Sequence, residues 1–272
     1  MSELPLYQEL IIWIILGCTL ACFVLPLCGL ARQKWTNPIP PVPQFPGSSF
    51  PHIFAYFYTA FFVLTFAMAS IQDVRLPDEQ LSPAEMVENI VLQIALYTPF
   101  LIAYFALPRR ELPHSSLWRK MSWVLAALCT IWIASGLLEA SQFNKWLAET
   151  TQCPPVQNVV QRMLEGSNFE RGLMAFMAII VAPVTEECCF RGFVYNILKR
   201  WNGRWIATFA SALLFAAVHG SLLQLIPLFI FGIVQCIAYE KARSLWLPIA
   251  IHTVFNACSS LVILLFPEML PI

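Results

Sequence analysis

The sequence predicts an all-α fold, a polytopic transmembrane helical bundle with about eight membrane-spanning helices. Of its 272 residues, 58% are hydrophobic and only 12% are charged, whereas a typical soluble domain has about 25% charged residues. A soluble chain of this length would need much more polar surface, so we expect little mass outside the membrane. Aromatic residues make up 14% of the chain, as belts of Trp and Tyr at both membrane interfaces require.

Eight stretches approach the length of about 20 mostly apolar residues that a membrane-spanning helix needs. The first stretch is too long for a cleaved signal peptide, and it lacks the basic start and small-residue cleavage site of one. The junction between the sixth and seventh stretches is short and only weakly polar. In chain order the stretches are residues 10–30, 52–72, 86–107, 121–142, 172–198, 205–221, 223–239 and 245–266.

The connections between these stretches are short, with three exceptions. Residues 36–50 are rich in proline and cannot be helical, so they predict a stiff cytoplasmic connector. Residues 73–85 are acidic, and residues 143–171 form a longer external segment that we expect to lie on the membrane surface. We therefore expect one integral membrane domain, with scaffold helices in residues 1–169 and a catalytic helical core in residues 170–266.

The basic residues orient the predicted bundle. With the N-terminus outside, eleven of the sixteen Lys and Arg residues fall on the cytoplasmic side, as the positive-inside rule requires. This pattern suits a bacterial plasma membrane, which we expect, and would suit an endoplasmic-reticulum membrane as well. The net charge of zero gives no indication of nucleic-acid binding. We expect the lipid bilayer as a partner, and the sequence leaves the oligomeric state open.

Nine cysteines occur in the chain, eight of them in apolar stretches. We interpret them as small apolar packing residues, although a reactive thiol at Cys188 or Cys189 stays open. No Cys-x-x-Cys spacing is present to indicate a thiolate metal site.

Two adjacent acidic residues, Glu186 and Glu187, lie inside the fifth apolar stretch. Ionisable groups near mid-bilayer cost about 3 kcal/mol or more each, so they need partners and usually have a function. Arg191 follows Glu187 by four residues and shares its helical face, which predicts an ion pair. Glu186 points about 100° away from Glu187 and is free for chemistry.

Two histidines in later apolar stretches are candidate partners of the glutamates. At a rise of about 1.5 Å per residue, Glu186 lies roughly 20 Å before Lys199, and His219 lies roughly 22 Å after Arg204. Because these helices are antiparallel, the two side chains reach the same level. His252 lies roughly 14 Å after Arg243, so either Arg243 lies shallow in the membrane or His252 lies toward a cytoplasmic mouth of the same cavity.

Further side chains share faces with the histidines at a spacing of four residues. Phe215 lies on the face of His219, and Asn256 lies on the face of His252, where the two polar side chains could aim two donors at one point. The acid–arginine pair alone could be structural, and Asn256 could satisfy a backbone carbonyl between helices. The recurrence of six such polar residues in three helices favours an intramembrane active site.

Several other intramembrane chemistries lack their sequence signatures. There is no His-Glu-x-x-His for a zinc protease and no Gly-x-Ser-Gly, and the only aspartates, Asp73 and Asp78, are external. One metal alternative stays open, a site of two histidines and one carboxylate formed by Glu186, His219 and His252. Otherwise we expect no metal and no cofactor.

The motifs of the C-terminal half resemble a known signature, that of the CPBP family of CAAX proteases and bacteriocin-processing enzymes, also called the Abi family. The resemblance covers about residues 170–260, and every motif residue is present in the expected order. In this sequence the motifs read Glu186-Glu187-x-x-x-Arg191, Phe215-x-x-x-His219 and His252-x-x-x-Asn256.

The resemblance implies a glutamate-dependent intramembrane endopeptidase that acts on peptides or membrane-anchored protein tails and opens toward the cytoplasm. Two alternatives remain, a non-catalytic scaffold or bacteriocin-immunity protein of the same fold, and a zinc-dependent CAAX-type metalloprotease. The resemblance also implies a role for each motif residue. Glu186 would be the general base, assisted by His219, and Glu187 would be a second acid held by Arg191. His252 and Asn256 would stabilise the oxyanion, and Phe190 and Phe215 would form the wall of the pocket.

Overall fold

The computed structural model describes residues 5–36, parts of 84–98, 117–153, 158–242 and 244–267. The described part of the chain is almost wholly helical and contains no strand. This confirms the all-α helical bundle. The predicted span at 52–72 lies outside the described residues, as do most of the span at 86–107 and nearly all of the proline-rich connector.

Within the described residues, four helices with defined bounds precede the predicted core. They are α1 (Leu6–Thr36), α2 (Leu117–Ala140), α3 (Phe143–Thr151) and α4 (Asn158–Glu165). The first two correspond to the predicted spans at 10–30 and 121–142. Helices α3 and α4 are short and lie in the segment that the sequence places on the membrane surface.

A long helical rod carries the two glutamates. It is built from α5 (Asn168–Phe176), a first π-helical segment (Met177–Val181), α6 (Ala182–Glu187), a second π-helical segment (Cys188–Val194) and α7 (Tyr195–Ala217). The rod begins with a capping box in which the side chains of Ser167 and Glu170 satisfy each other's backbone N–H groups. Such π-helical segments are frequent at functional sites.

The rod bends sharply inside α7 at Gly203, where φ is 77° and ψ is 172°. Glycine populates such positive φ angles without a steric penalty. Two further helices complete the described fold, α8 (Leu225–Ala242) and α9 (Trp246–Leu265).

The predicted sixth span, 205–221, is too long at its end. The helix after Gly203 ends at Ala217, about 21 Å after the bend and short of the roughly 30 Å hydrocarbon core. His219 therefore lies in the turn that follows α7 and not in a helix. Among the described residues, the helices long and apolar enough to cross a membrane are Ser122–Ala140, Asn168–Lys199, Leu225–Ala242 and Trp246–Leu265.

Packing among these helices gathers around α7 and α8. Helix α7 contacts α1 on one side and α8 on the other, while α9 contacts α8, α6 and α2. Helices α7 and α8 approach closely at Gly232 of α8, where an added Cβ would lie 2.8 Å from both the Cα and the Cβ of Ala212. Small residues at such positions allow membrane helices to approach closely, and this approach brings α8 against the rod that carries the glutamates.

Candidate active site

The glutamates end α6 at the start of the second π-helical segment, in a region from which solvent is excluded. Glu187 and Arg191 are fully buried, and Glu186 is 8% exposed. The predicted ion pair is present, with Arg191 Nη1 at 3.0 Å from Glu187 Oε1. A fully buried pair requires close geometry and additional hydrogen bonds to offset its desolvation.

Those additional bonds converge on one oxygen of Glu187. Its Oε1 accepts from Arg191 Nη1 at 3.0 Å, from Gln235 Nε2 at 3.1 Å and from His252 Nδ1 at 3.0 Å. The donors come from the second π-helical segment, α8 and α9. Within the described part of the chain, Glu187 Oε2 has no hydrogen-bond partner. The carboxylate of Glu187 therefore links the second π-helical segment, α8 and α9 through charge-assisted hydrogen bonds.

The guanidinium of Arg191 is held on several sides. Its Nη2 donates to the carbonyl oxygen of Gly232 at 3.2 Å, and its Cζ lies 4.6 Å from the ring centroid of Phe215 and 6.0 Å from that of Phe190. Cation–π contacts of this kind are stronger when they are desolvated. The two phenylalanines expected to shape a pocket therefore enclose Arg191, and Phe215 also contacts the His219 ring at 4.7 Å.

The carboxylate of Glu186 faces both histidines. Glu186 Oε2 lies 3.9 Å from His219 Nε2 and 4.0 Å from His252 Nε2. These distances are too long for direct hydrogen bonds but suit one bridging water. Among the described residues, this oxygen has no hydrogen-bond partner. The structure therefore brings Glu186, His219 and His252 together, as the helical rise predicts.

The other ring nitrogens of the histidines determine which atoms face Glu186. His219 Nδ1 lies 2.6 Å from the carbonyl oxygen of Phe215, which can only accept, so Nδ1 carries a proton. His252 Nδ1 donates to Glu187 in the same way. Both Nε2 atoms are therefore directed toward Glu186 with their tautomers set by neighbouring acceptors.

The two histidines differ in exposure. The side chain of His252 is 5% exposed while that of His219 is 28% exposed, so His219 lies nearer the open side of the site. Counting residues along a helix measures distance along its axis and not access to solvent. His219 is accessible because α7 ends before it and the chain turns.

Asn256 occupies a different position from the one expected of an oxyanion donor. Its Nδ2 donates to the carbonyl oxygen of Ala178 at 2.7 Å. In the first π-helical segment the N–H of Ala182 bonds Met177 five residues back, so the next bond would join residue 183 to Ala178. Residue 183 is proline, which has no N–H. Asn256 supplies the donor that Pro183 lacks, which is the structural alternative that the sequence left open.

Gln235 is the site residue that motif reasoning missed. It is fully buried, and its amide contacts Glu187 and the backbone of α9. A glutamine in the middle of the apolar helix α8 is costly unless its amide is hydrogen-bonded. That cost is the sequence signal that could have identified it.

The metal alternative has no geometric support. In the ranges that the structure describes, no group of three or more His, Cys, Asp or Glu side chains is arranged to hold a metal ion. Cys188 and Cys189 are fully buried, which fits the interpretation of their thiols as packing groups.

The fold and the site together define a class, a helical membrane protein with a buried carboxylate–histidine cluster. Residues 168–258, about a third of the chain, match the model of the family described as type II CAAX prenyl endopeptidase Rce1-like. This match confirms the resemblance to the CPBP family over this C-terminal segment. No solved structure gives a significant match.

Three curated proteins are similar over parts of the chain. The "Uncharacterized 24.3 kDa protein" of Escherichia coli is 26% identical over 48% of this chain and 58% of its own length. The protein of Bacillus subtilis (strain 168) named as membrane peptidase YdiL is 22% identical over 66% of this chain and 72% of its own. The membrane-embedded CAAX protease MroQ of Staphylococcus aureus (strain USA300) is 33% identical over 36% and 42%. The chain thus spans less than two thirds of the first of these relatives.

Proposed function

We propose that the protein is an intramembrane endopeptidase that hydrolyses peptide bonds with a water activated by Glu186. The observation that carries the proposal is the position of Glu186 Oε2, which is buried and within 4.0 Å of the Nε2 atoms of both His219 and His252. Amide hydrolysis needs a proton acceptor beside water and a donor beside the carbonyl oxygen. The names of two relatives, a membrane peptidase and a CAAX protease, support the same activity.

The proposed reaction begins when Glu186, assisted by His219, takes a proton from a water molecule. The hydroxide oxygen forms a bond to the carbonyl carbon of the substrate, and the carbonyl becomes an oxyanion. The proton then passes from Glu186 to the leaving nitrogen as the C–N bond breaks. A carboxylic acid and an amine are released, and the site returns to its starting state.

The oxyanion is stabilised in this proposal by His252. Its Nδ1–H is committed to Glu187, so only a second proton on Nε2 makes it a donor toward substrate. A preorganised donor in a dry site is worth more than one in water. The oxyanion role expected of Asn256 requires its amide to leave the carbonyl of Ala178.

The substrate class proposed is a peptide or the tail of a membrane-anchored protein. The protein acts from within a lipid bilayer, which we place in the bacterial plasma membrane with the N-terminus outside and the site open to the cytoplasm. The basic residues support this orientation through the positive-inside rule. No cofactor takes part in the proposed chemistry.

The decisive experiment measures cleavage of a fluorogenic peptide library by purified wild type and by Glu186→Gln, each with and without a strong zinc chelator. Cleavage that survives chelation but not the substitution supports the glutamate mechanism. Loss on chelation would move the assignment to the metal alternative. A wild type that cleaves no member of a library covering C-terminal and internal bonds would contradict the proposal and favour a scaffold.

A further inference from the structure

We infer that Gln235 is a positioning residue that sets the geometry of both Glu187 and His252. The evidence for this role is the set of contacts made by one buried amide. Its importance for catalysis rests on the proposed function. Gln235 lies near the middle of α8 and is fully buried. It is not one of the motif residues by which the sequence resembles its family.

Both hydrogens of the Gln235 amide are used. Nε2 donates to Glu187 Oε1 at 3.1 Å and to the carbonyl oxygen of Pro248 at 2.9 Å. Because both partners only accept, the nitrogen of the amide must face them. One side chain of α8 therefore joins the carboxylate at the end of α6 to the first turn of α9.

The position of Pro248 connects this bond to His252. Pro248 precedes His252 by four residues, so its carbonyl lies one helical turn before the histidine on the same face of α9. Gln235 thus fixes the turn that carries His252 and, at the same time, the oxygen to which His252 Nδ1 donates. The amide of Gln235 therefore holds both partners of the Glu187–His252 hydrogen bond, the carboxylate directly and the histidine through the helical turn before it.

The remaining atom of the amide indicates that stability alone does not explain the residue. Within the described residues Gln235 Oε1 has no hydrogen-bond partner, and a buried acceptor without a partner is unfavourable. An apolar side chain would avoid that penalty but would release Glu187 and Pro248. The arrangement is expected where orientation of a reacting group matters, as outer partners commonly orient histidines in other sites.

The test compares Gln235→Met, which keeps the length of the side chain and removes its donors, with a matched control, Asn196→Leu. Asn196 also links the second π-helical segment to α8, through bonds to the carbonyls of Arg191 and Gly192 and to the hydroxyl of Tyr239. Its hydrogen bonds among the described residues do not involve either glutamate or His252. Both variants remove an amide that bridges the second π-helical segment or α6 to a neighbouring helix, fully buried at Gln235 and half-buried at Asn196, and only the Gln235 variant should affect the site.

Two readouts are needed, and each variant is measured as full-length protein in detergent. The first is steady-state cleavage, in which Gln235→Met should lower kcat about 10-fold or more with little change in KM, while Asn196→Leu should not. The second is the ¹⁵N spectrum of selectively labelled histidine, because the chain has only four histidines. The His252 resonances, assigned with His252→Ala, should shift in Gln235→Met and not in Asn196→Leu.

The outcomes separate this inference from the proposed function. A shift of His252 together with reduced kcat supports both. A shift of His252 in a protein whose wild type cleaves nothing supports the positioning role and contradicts the peptidase. Unchanged His252 resonances in Gln235→Met, or an equal shift in Asn196→Leu, would overturn the inference. If the methionine variant does not fold, Gln235→Leu gives the same comparison with a smaller side chain.

Discussion

Asn256 and Pro183 should be coupled through the carbonyl of Ala178. Removing the amide in Asn256→Ala leaves that carbonyl without its donor at 2.7 Å, and a buried group without a partner costs about 1–3 kcal/mol. Pro183→Ala provides a backbone N–H at the position from which the π-helical pattern donates to Ala178. We therefore expect Asn256→Ala to cost about 1–3 kcal/mol in wild type and less than about 1 kcal/mol in the Pro183→Ala background.

The assay is thermal unfolding of the wild type, the two single variants and the double variant in one detergent, analysed as a double-mutant cycle. Additive effects would refute the claim that Asn256 acts on Ala178, because independent sites show little coupling. Cleavage rates from the same four proteins test the oxyanion role that the family resemblance implies for Asn256. A rate loss of about 100-fold in Asn256→Ala that Pro183→Ala does not restore would assign that role to Asn256.

Three further predictions concern packing and chemistry separately. Gly232→Ala should lower the melting temperature and the folded yield, because its Cβ would lie 2.8 Å from the backbone of Ala212. The control is Gly172→Ala, whose added Cβ meets no atom within 4 Å among the described residues. Equal effects of the two substitutions would refute the close approach of the helices. His219→Ala should abolish cleavage and leave the melting temperature nearly unchanged, since the side chain is partly exposed; wild-type cleavage would exclude it from catalysis. Cys189→Ser should retain most cleavage, and complete loss in a folded variant would indicate a reactive thiol.

The helical spans and the charged cluster could be predicted because they depend on periodicity. The spacing of four residues between Glu187 and Arg191 places both on one helical face, and the rise per residue brings Glu186 and His219 to one level. Hydropathy likewise marks the apolar helices before any contact is known. These features are local or follow from the antiparallel order of neighbouring helices.

The features that escaped prediction depend on tertiary contacts. The bend at Gly203 precedes the sixth span, and the helix after it ends early, at Ala217. Nothing in hydropathy distinguishes a glycine that bends a helix from one that does not. The π-helical segments decide that Asn256 meets Ala178 and not the glutamates. Gln235 carries no charge, so a search for ionisable groups passes over it although it is fully buried.

The two adjacent glutamates are not interchangeable, and their difference follows from helix geometry. Successive side chains point about 100° apart, so Glu187 faces inward and Glu186 faces the histidines. Glu187 Oε1 accepts from Arg191, Gln235 and His252, and removing its charge would leave a fully buried arginine without its carboxylate, which is strongly destabilising. Each glutamate has one buried oxygen without a hydrogen-bond partner among the described residues, but that of Glu186 lies within 4.0 Å of the Nε2 atoms of both histidines, so the proposed mechanism assigns the proton transfer to Glu186. Glu187 therefore has a structural role in the site, and the proposed mechanism gives the chemical role to Glu186.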